Sequence, residues 1–137
     1  MARRIDAKLL FHRAASQRAE DARYLFSGGR TTAAVYLAGY GVECLLKALI
    51  LSQVGKQKQE GILKQFRTIK AHDFEWLRQM YYKQGGAGFP RDVVEAFSIV
   101  SGWSTDMRYQ PGTVPDDDAE AFLEAADVIS KWSNRRL

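Results

Sequence analysis

Apolar side chains recur at three- and four-residue steps along most of this chain, and no segment alternates as a strand does. The first run covers residues 4–27, where Ile5, Leu9, His12, Ala15, Ala19, Ala22 and Phe26 form one stripe. Arg13, Gln17, Glu20 and Asp21 fall off it. Gly28-Gly29 stops this helix, because glycine readily takes the backbone conformation found past a helix end. Thr31 or Thr32 is the expected cap of a second helix, which reaches to about Val54. That helix is apolar nearly all round, so it is the element expected at the centre. Gly39 and Gly41 each cost about 1 kcal/mol against alanine within a helix, so their use is to let a neighbouring helix or chain approach closely.

Residues 55–72 are polar and basic and read as a mobile loop with one short helical turn around 62–66. A third helix is expected over 73–83, with Phe74, Leu77 and Tyr81 on one face and Trp76 and Met80 beside it. The glycine-rich stretch 85–90 then breaks the chain. A fourth helix over 91–103 turns Val93, Val94, Phe97 and Val100 inward. Residues 108–118, with two prolines and a glycine, form a loop. Pro115 and the acids Asp116, Asp117, Asp118 and Glu120 open the last helix, where proline fits the first turn and carboxylates suit the positive end of the dipole. Phe122, Ala125, Ala126, Ile129 and Trp132 are its apolar face. The pattern predicts an all-α protein, an up-and-down antiparallel bundle of four to five helices, with residues 1–137 forming a single domain.

The single cysteine, Cys44, makes no internal bridge, which points to a reducing, cytoplasmic setting. With only two histidines, distant in sequence, no metal site and no cofactor are expected. The apolar stretch 33–51 approaches the length of a membrane span. Glu43 and Lys47 near its middle would each cost roughly 2.5–3.5 kcal/mol in a bilayer, so no membrane association is expected. The net charge of +4 is unevenly spread: residues 1–100 hold 16 basic and 9 acidic side chains, residues 101–137 hold 4 and 7. A basic body attracts nucleic acid by releasing condensed counterions, although a charge of this size also serves simple solubility.

The second helix carries the most informative cluster. At 100° per residue, Tyr36, Tyr40, Glu43 and Lys47 fall within a sector of about 60°. A carboxylate and an ammonium four residues apart in an apolar helix must be paired, or must line a cleft or an interface. One alternative is an ion pair that tethers the helix to Arg108 or to another chain; the other is a polar groove floor that meets a ligand. Arg108-Tyr109 is the second point of interest, since a guanidinium beside a cleft binds phosphate through two parallel donors. It could equally pair with Glu43 or Asp106.

These segments resemble the HEPN domain family. The run from Ala33 to Leu51, rich in small residues and tyrosine before Glu43 and Lys47, closely resembles the family's second helix. His72-Asp73-Phe74 with Leu77 is similar to its His-Asp-Leu start of the third helix. Trp103 followed by Arg108-Tyr109 resembles its Trp…Arg-Tyr element, and the first helix fits as well, so the resemblance covers essentially the whole chain.

The resemblance implies a helical bundle that commonly forms a homodimer. It also implies binding of RNA or a nucleotide, or pairing with a minimal nucleotidyltransferase as in toxin–antitoxin systems. Arg108, Tyr109, Glu43, Lys47, Tyr40 and Tyr36 are the candidate phosphate- or ligand-binding residues. Catalytic members are ribonucleases in which four to six residues separate an arginine from the histidine that follows it. The arginine steadies phosphate charge and the histidine handles the 2′-hydroxyl proton. Counted from Arg108, the histidine would stand at 113, 114 or 115, which are Thr113, Val114 and Pro115. The expectation is therefore a binding module with no catalytic residue in place. A divergent metal-independent ribonuclease using His72, and a purely structural interaction module, are the alternatives. Arg67 and His72 have the ribonuclease spacing but lie where the family's His-Asp-Leu element sits. His12, on the first helix's apolar stripe, reads as a core histidine.

Overall fold

A computed structural model describes residues 6–109 and 111–137, with the backbone alone for Arg108. Six α-helices follow in order: α1 (Ala7–Ser27), α2 (Thr31–Ser52), α3 (Lys56–Gln65), α4 (Phe74–Lys83), α5 (Arg91–Val100) and α6 (Asp116–Asn134). Two 3-10 turns, Ile69–His72 and Thr105–Tyr109, sit before α4 and between α5 and α6. No strand occurs among the described residues.

The fold is built around α2, which packs on α1, α4 and α6, while α5 packs on α6. Leu46, Leu49, Ile50 and Val42 are almost wholly buried. Each such side chain contributes about 1.5–3 kcal/mol by leaving water. By length and apolar composition α2 could cross a membrane, yet 78% of its most apolar window is buried within the bundle. Gly41 explains the close approach of α1: a Cβ there would meet the Ala15 carbonyl oxygen at 3.4 Å. Gly29, at φ 80°, makes the turn out of α1, and Arg30 N–H closes it on the Leu25 carbonyl at 2.8 Å.

Four details differ from the sequence reading. The basic segment 55–72 is not a loop with one turn, because ten of its residues form α3. Those residues are strong helix formers apart from Gly61, and Ile62 and Phe66 supply just enough apolar surface to hold them down. The bundle accordingly has six helices among the described residues, one more than expected. Thr31 and Thr32 do not cap α2. Thr31 Oγ1 donates to the Val114 carbonyl at 2.6 Å, and Thr32 Oγ1 accepts from Val114 N–H at 3.0 Å, so they fasten the loop before α6. Finally, Val94 and Leu9 are more than 40% exposed, and Ala96 takes the inward position on α5. Ile5 lies outside the described residues. Asp73 behaves as expected at the head of α4, accepting from the Glu75 and Trp76 backbone N–H groups.

Candidate functional site

One face of α2 gathers the four polar residues singled out by spacing. Glu43 and Lys47 are 4% and 6% exposed, and Lys47 Nζ donates to Glu43 Oε2 at 2.9 Å. The ammonium lies against a pair of rings, 5.7 Å from the Phe11 centroid on α1 and 5.5 Å from that of Phe66 just past α3. Those rings meet each other edge to face. Lys47 is therefore enclosed by apolar side chains from two elements, with its charge met by Glu43 and by ring faces.

The second oxygen of Glu43 leads outward. Its Oε1 lies 2.7 Å from His72 Nδ1, and the His72 side chain is 44% exposed. An ionised carboxylate only accepts, so Nδ1 carries the hydrogen in this bond and a neutral ring presents the lone pair of Nε2. The charged pair thus has one surface outlet, an imidazole whose orientation is set from the interior. The sequence reading missed this bond. The signal available was Asp73: a helix cap fixes the residue before it against the neighbouring helix.

An aromatic wall stands beside the imidazole. Tyr40 lies edge-on to His72 at 6.4 Å and to Trp103 at 5.0 Å, and its hydroxyl is 3.2 Å from that of Tyr36. Trp103 stacks on Phe74 with ring planes 5° apart, and its indole N–H donates to the Tyr36 carbonyl at 3.2 Å. The indole fits there because residue 39 is glycine, since a Cβ at that position would sit 2.0 Å from Nε1. Trp103 is thereby keyed into α2. The 3-10 turn that follows, Thr105–Tyr109, packs against the same helix. It delivers the Arg108 backbone and an exposed Tyr109 near this face. The Arg108 side chain lies outside the described residues.

The structure thus brings Tyr36, Tyr40, Glu43, Lys47 and His72 into one connected cluster, with Trp103 as its brace. His12 lies elsewhere: it is half-buried on α1, with Nε2 2.8 Å from Asn134 Oδ1 at the end of α6. No group of metal-ligating side chains occurs among the described residues.

Cys44 is next to the pair but not part of it. Burial pushes its thiol up to about 11, and the neighbouring Glu43 charge acts in the same sense. A raised value keeps the thiol protonated across the physiological range. Alkylation of the native protein by iodoacetamide should follow a pH curve centred near 11, against 9.0 for an ordinary thiol. Rapid modification at neutral pH would show that the side chain is not enclosed.

An apolar central helix with an internal Glu–Lys pair, and a histidine drawn onto that pair, place the chain among all-helical bundle domains. Its family follows from comparison: the HEPN domain family model matches residues 9–136, and the chain belongs to that family. Comparison with curated proteins gave no match, and comparison with solved structures gave none either.

Proposed function

We propose that this HEPN domain is a binding module, working as a homodimer, that holds the phosphates of an RNA or a nucleotide. The ligand would lie where His72, Tyr40 and Tyr36 adjoin the turn carrying Arg108 and Tyr109. The observation that carries this reading is the His72–Glu43 bond, which holds a half-exposed imidazole in one orientation at the edge of an aromatic wall. Such a group accepts from a ligand hydroxyl or, when protonated, donates to a phosphate, at little ordering cost. Glu43 and Lys47 act from inside as positioning residues. Arg108 would supply the bidentate phosphate contact.

Equilibrium binding of labelled RNA tests this. Arg108→Ala and His72→Ala are each expected to weaken binding about tenfold or more, as for loss of a hydrogen bond to a charged group. Binding unaffected by both substitutions would remove the proposed site. If RNA and mononucleotides fail to bind while a minimal nucleotidyltransferase does, the face serves a protein partner instead.

The same bond favours a second reading, a divergent metal-independent ribonuclease in which Nε2 of His72 takes the 2′-hydroxyl proton. Cleavage of RNA in the presence of EDTA, abolished by His72→Ala, would establish it.

A further inference from the structure

Three adjoining hollows form one trough between α3 and α4. The first lies where the start of α3 meets the end of α4, and its walls include Lys56, Lys58, Lys83 and Gln84. The second shares Lys83 and Gln84 and runs along α4 past Tyr82 and Gln79 to Trp76, with Gln65 of α3 opposite. The third shares Gln65 and Trp76 and ends at Thr68, Ile69 and Lys70. Its floor is therefore continuous from one end of α3 to the first 3-10 turn.

No aspartate or glutamate lines any part of this trough. Glu60, the single acid in residues 55–72, and Asp6 border the neighbouring hollow on the α1 side, which shares Lys56 and Gln57 with the end of the trough. Some surface cations elsewhere are paired, Arg18 with Asp21, Arg23 and Lys131 with Asp127, and Arg78 with Glu75. Lys56, Lys58, Lys70 and Lys83 are exposed and form no ion pair with the described residues. A row of uncompensated ammonium groups raises the local concentration of a polyanion.

We infer that this trough is a binding track for single-stranded nucleic acid. Lysines at both ends match a phosphate backbone. Half-buried Trp76 and Tyr82 offer ring faces between them, and the Gln65 and Gln84 amides offer donors and acceptors for base edges, whereas the Gln79 amide donates to Glu75. An acidic peptide would satisfy the lysines and leave those ring faces without a counterpart. A duplex keeps its base faces covered, so it gains nothing from them. At 1.5 Å rise per residue α3 is about 15 Å long, enough for a few nucleotides. The inference rests on the RNA reading above and adds the surface that holds the strand. That surface ends at Lys70, two residues before His72.

Fluorescence anisotropy with the full chain and a labelled uridine oligomer of about 12 nucleotides tests the inference, a length within the range such sites occupy. With the four lysines and Arg108 engaged, log affinity should fall against log salt with a slope of about −3.5. The triple variant Lys56→Glu, Lys58→Glu, Lys83→Glu, whose exposed positions leave the fold intact by circular dichroism, should lose affinity more than tenfold and flatten the slope to about −1.4 or less. Trp76→Ala should weaken binding about fivefold or more. Lys131→Glu, on α6, serves as a control and should bind like the parent.

Binding preserved in the triple variant but lost in Arg108→Ala or His72→Ala would overturn the trough and leave the central site standing. Equal affinity for a duplex, or for polyglutamate, would overturn it as well. No binding of the oligomer by the unaltered protein would overturn both readings.

Discussion

Glu43→Ala should lower the unfolding free energy by about 3–5 kcal/mol, the cost of leaving one member of a buried ion pair uncompensated. Lys47 cannot easily escape to water: its ammonium packs against Phe11 and Phe66 and the side chain is 7% exposed. Removing the carboxylate also frees His72 from its anchor. The matched replacement Glu43→Leu with Lys47→Met should recover much of the loss, because two apolar side chains of similar volume need no partner in that setting. Urea unfolding of the parent, the single and the double variant checks this. A loss below about 1 kcal/mol in Glu43→Ala would place the pair in the energetic class of exposed salt bridges. His72→Ala should cost less than Glu43→Ala, because Lys47 still meets the carboxylate. The double variant separates stability from function in a useful way. It keeps the bundle but drops the group that orients the imidazole, so any ligand affinity it loses reflects positioning.

Gly39→Ala should be strongly destabilising although it adds only one carbon. The added carbon would stand 2.0 Å from the Trp103 indole nitrogen, and that indole has little room to yield. Its other face is stacked on Phe74 and its N–H is committed to the Tyr36 carbonyl. Overpacking of this kind costs typically about 1–3 kcal/mol, and loss of the hydrogen bond adds to it. Trp103→Leu would itself be costly, yet it removes the ring that the new methyl strikes. Gly39→Ala placed in the Trp103→Leu background should therefore cost far less than in the parent, a coupling that a double-mutant cycle measures directly. Simple additivity of the two changes would mean that the contact is relieved some other way. The indole N–H resonance of Trp103 gives an independent readout, since it should move in Gly39→Ala even where the fold survives.

The parts of this structure that sequence made legible are those governed by burial period. α2, apolar nearly all round, came out at the centre as expected, and α6 came out with its expected inward face, including Phe122, Ile129 and Trp132. The cap of α4 was legible for a different reason, because Asp73 acts on its own backbone neighbourhood and needs no tertiary partner. α3 was hidden because its helix is specified by propensity, with Ile62 its one buried residue, so the apolar period was too sparse to register. The threonines at the head of α2 misled for the opposite reason. Their local preference is to cap, but a loop 80 or more residues away offers them partners at Gly112 and Val114. Within the site, the Glu43–Lys47 pair was readable from spacing alone. The bond from Glu43 to His72 spans 29 residues and depends on where a 3-10 turn sets the imidazole, which no periodicity encodes. The acid-free trough is likewise invisible in one dimension, because its lysines come from two helices and a turn that composition alone does not place side by side.

The two threonines have a further consequence. The strap that carries Arg108 and Tyr109 is riveted at both ends, by the Trp103 indole in its glycine socket and by Thr31 and Thr32 gripping residues 112–114. Its end-to-end span is fixed by the frame of the bundle. Under the proposed function, closing such a loop would already be done by folding, and a ligand would have only side chains left to arrange. Releasing the second anchor, with Thr31→Val and Thr32→Val together, would leave that segment held at one end and slacken it along its whole length.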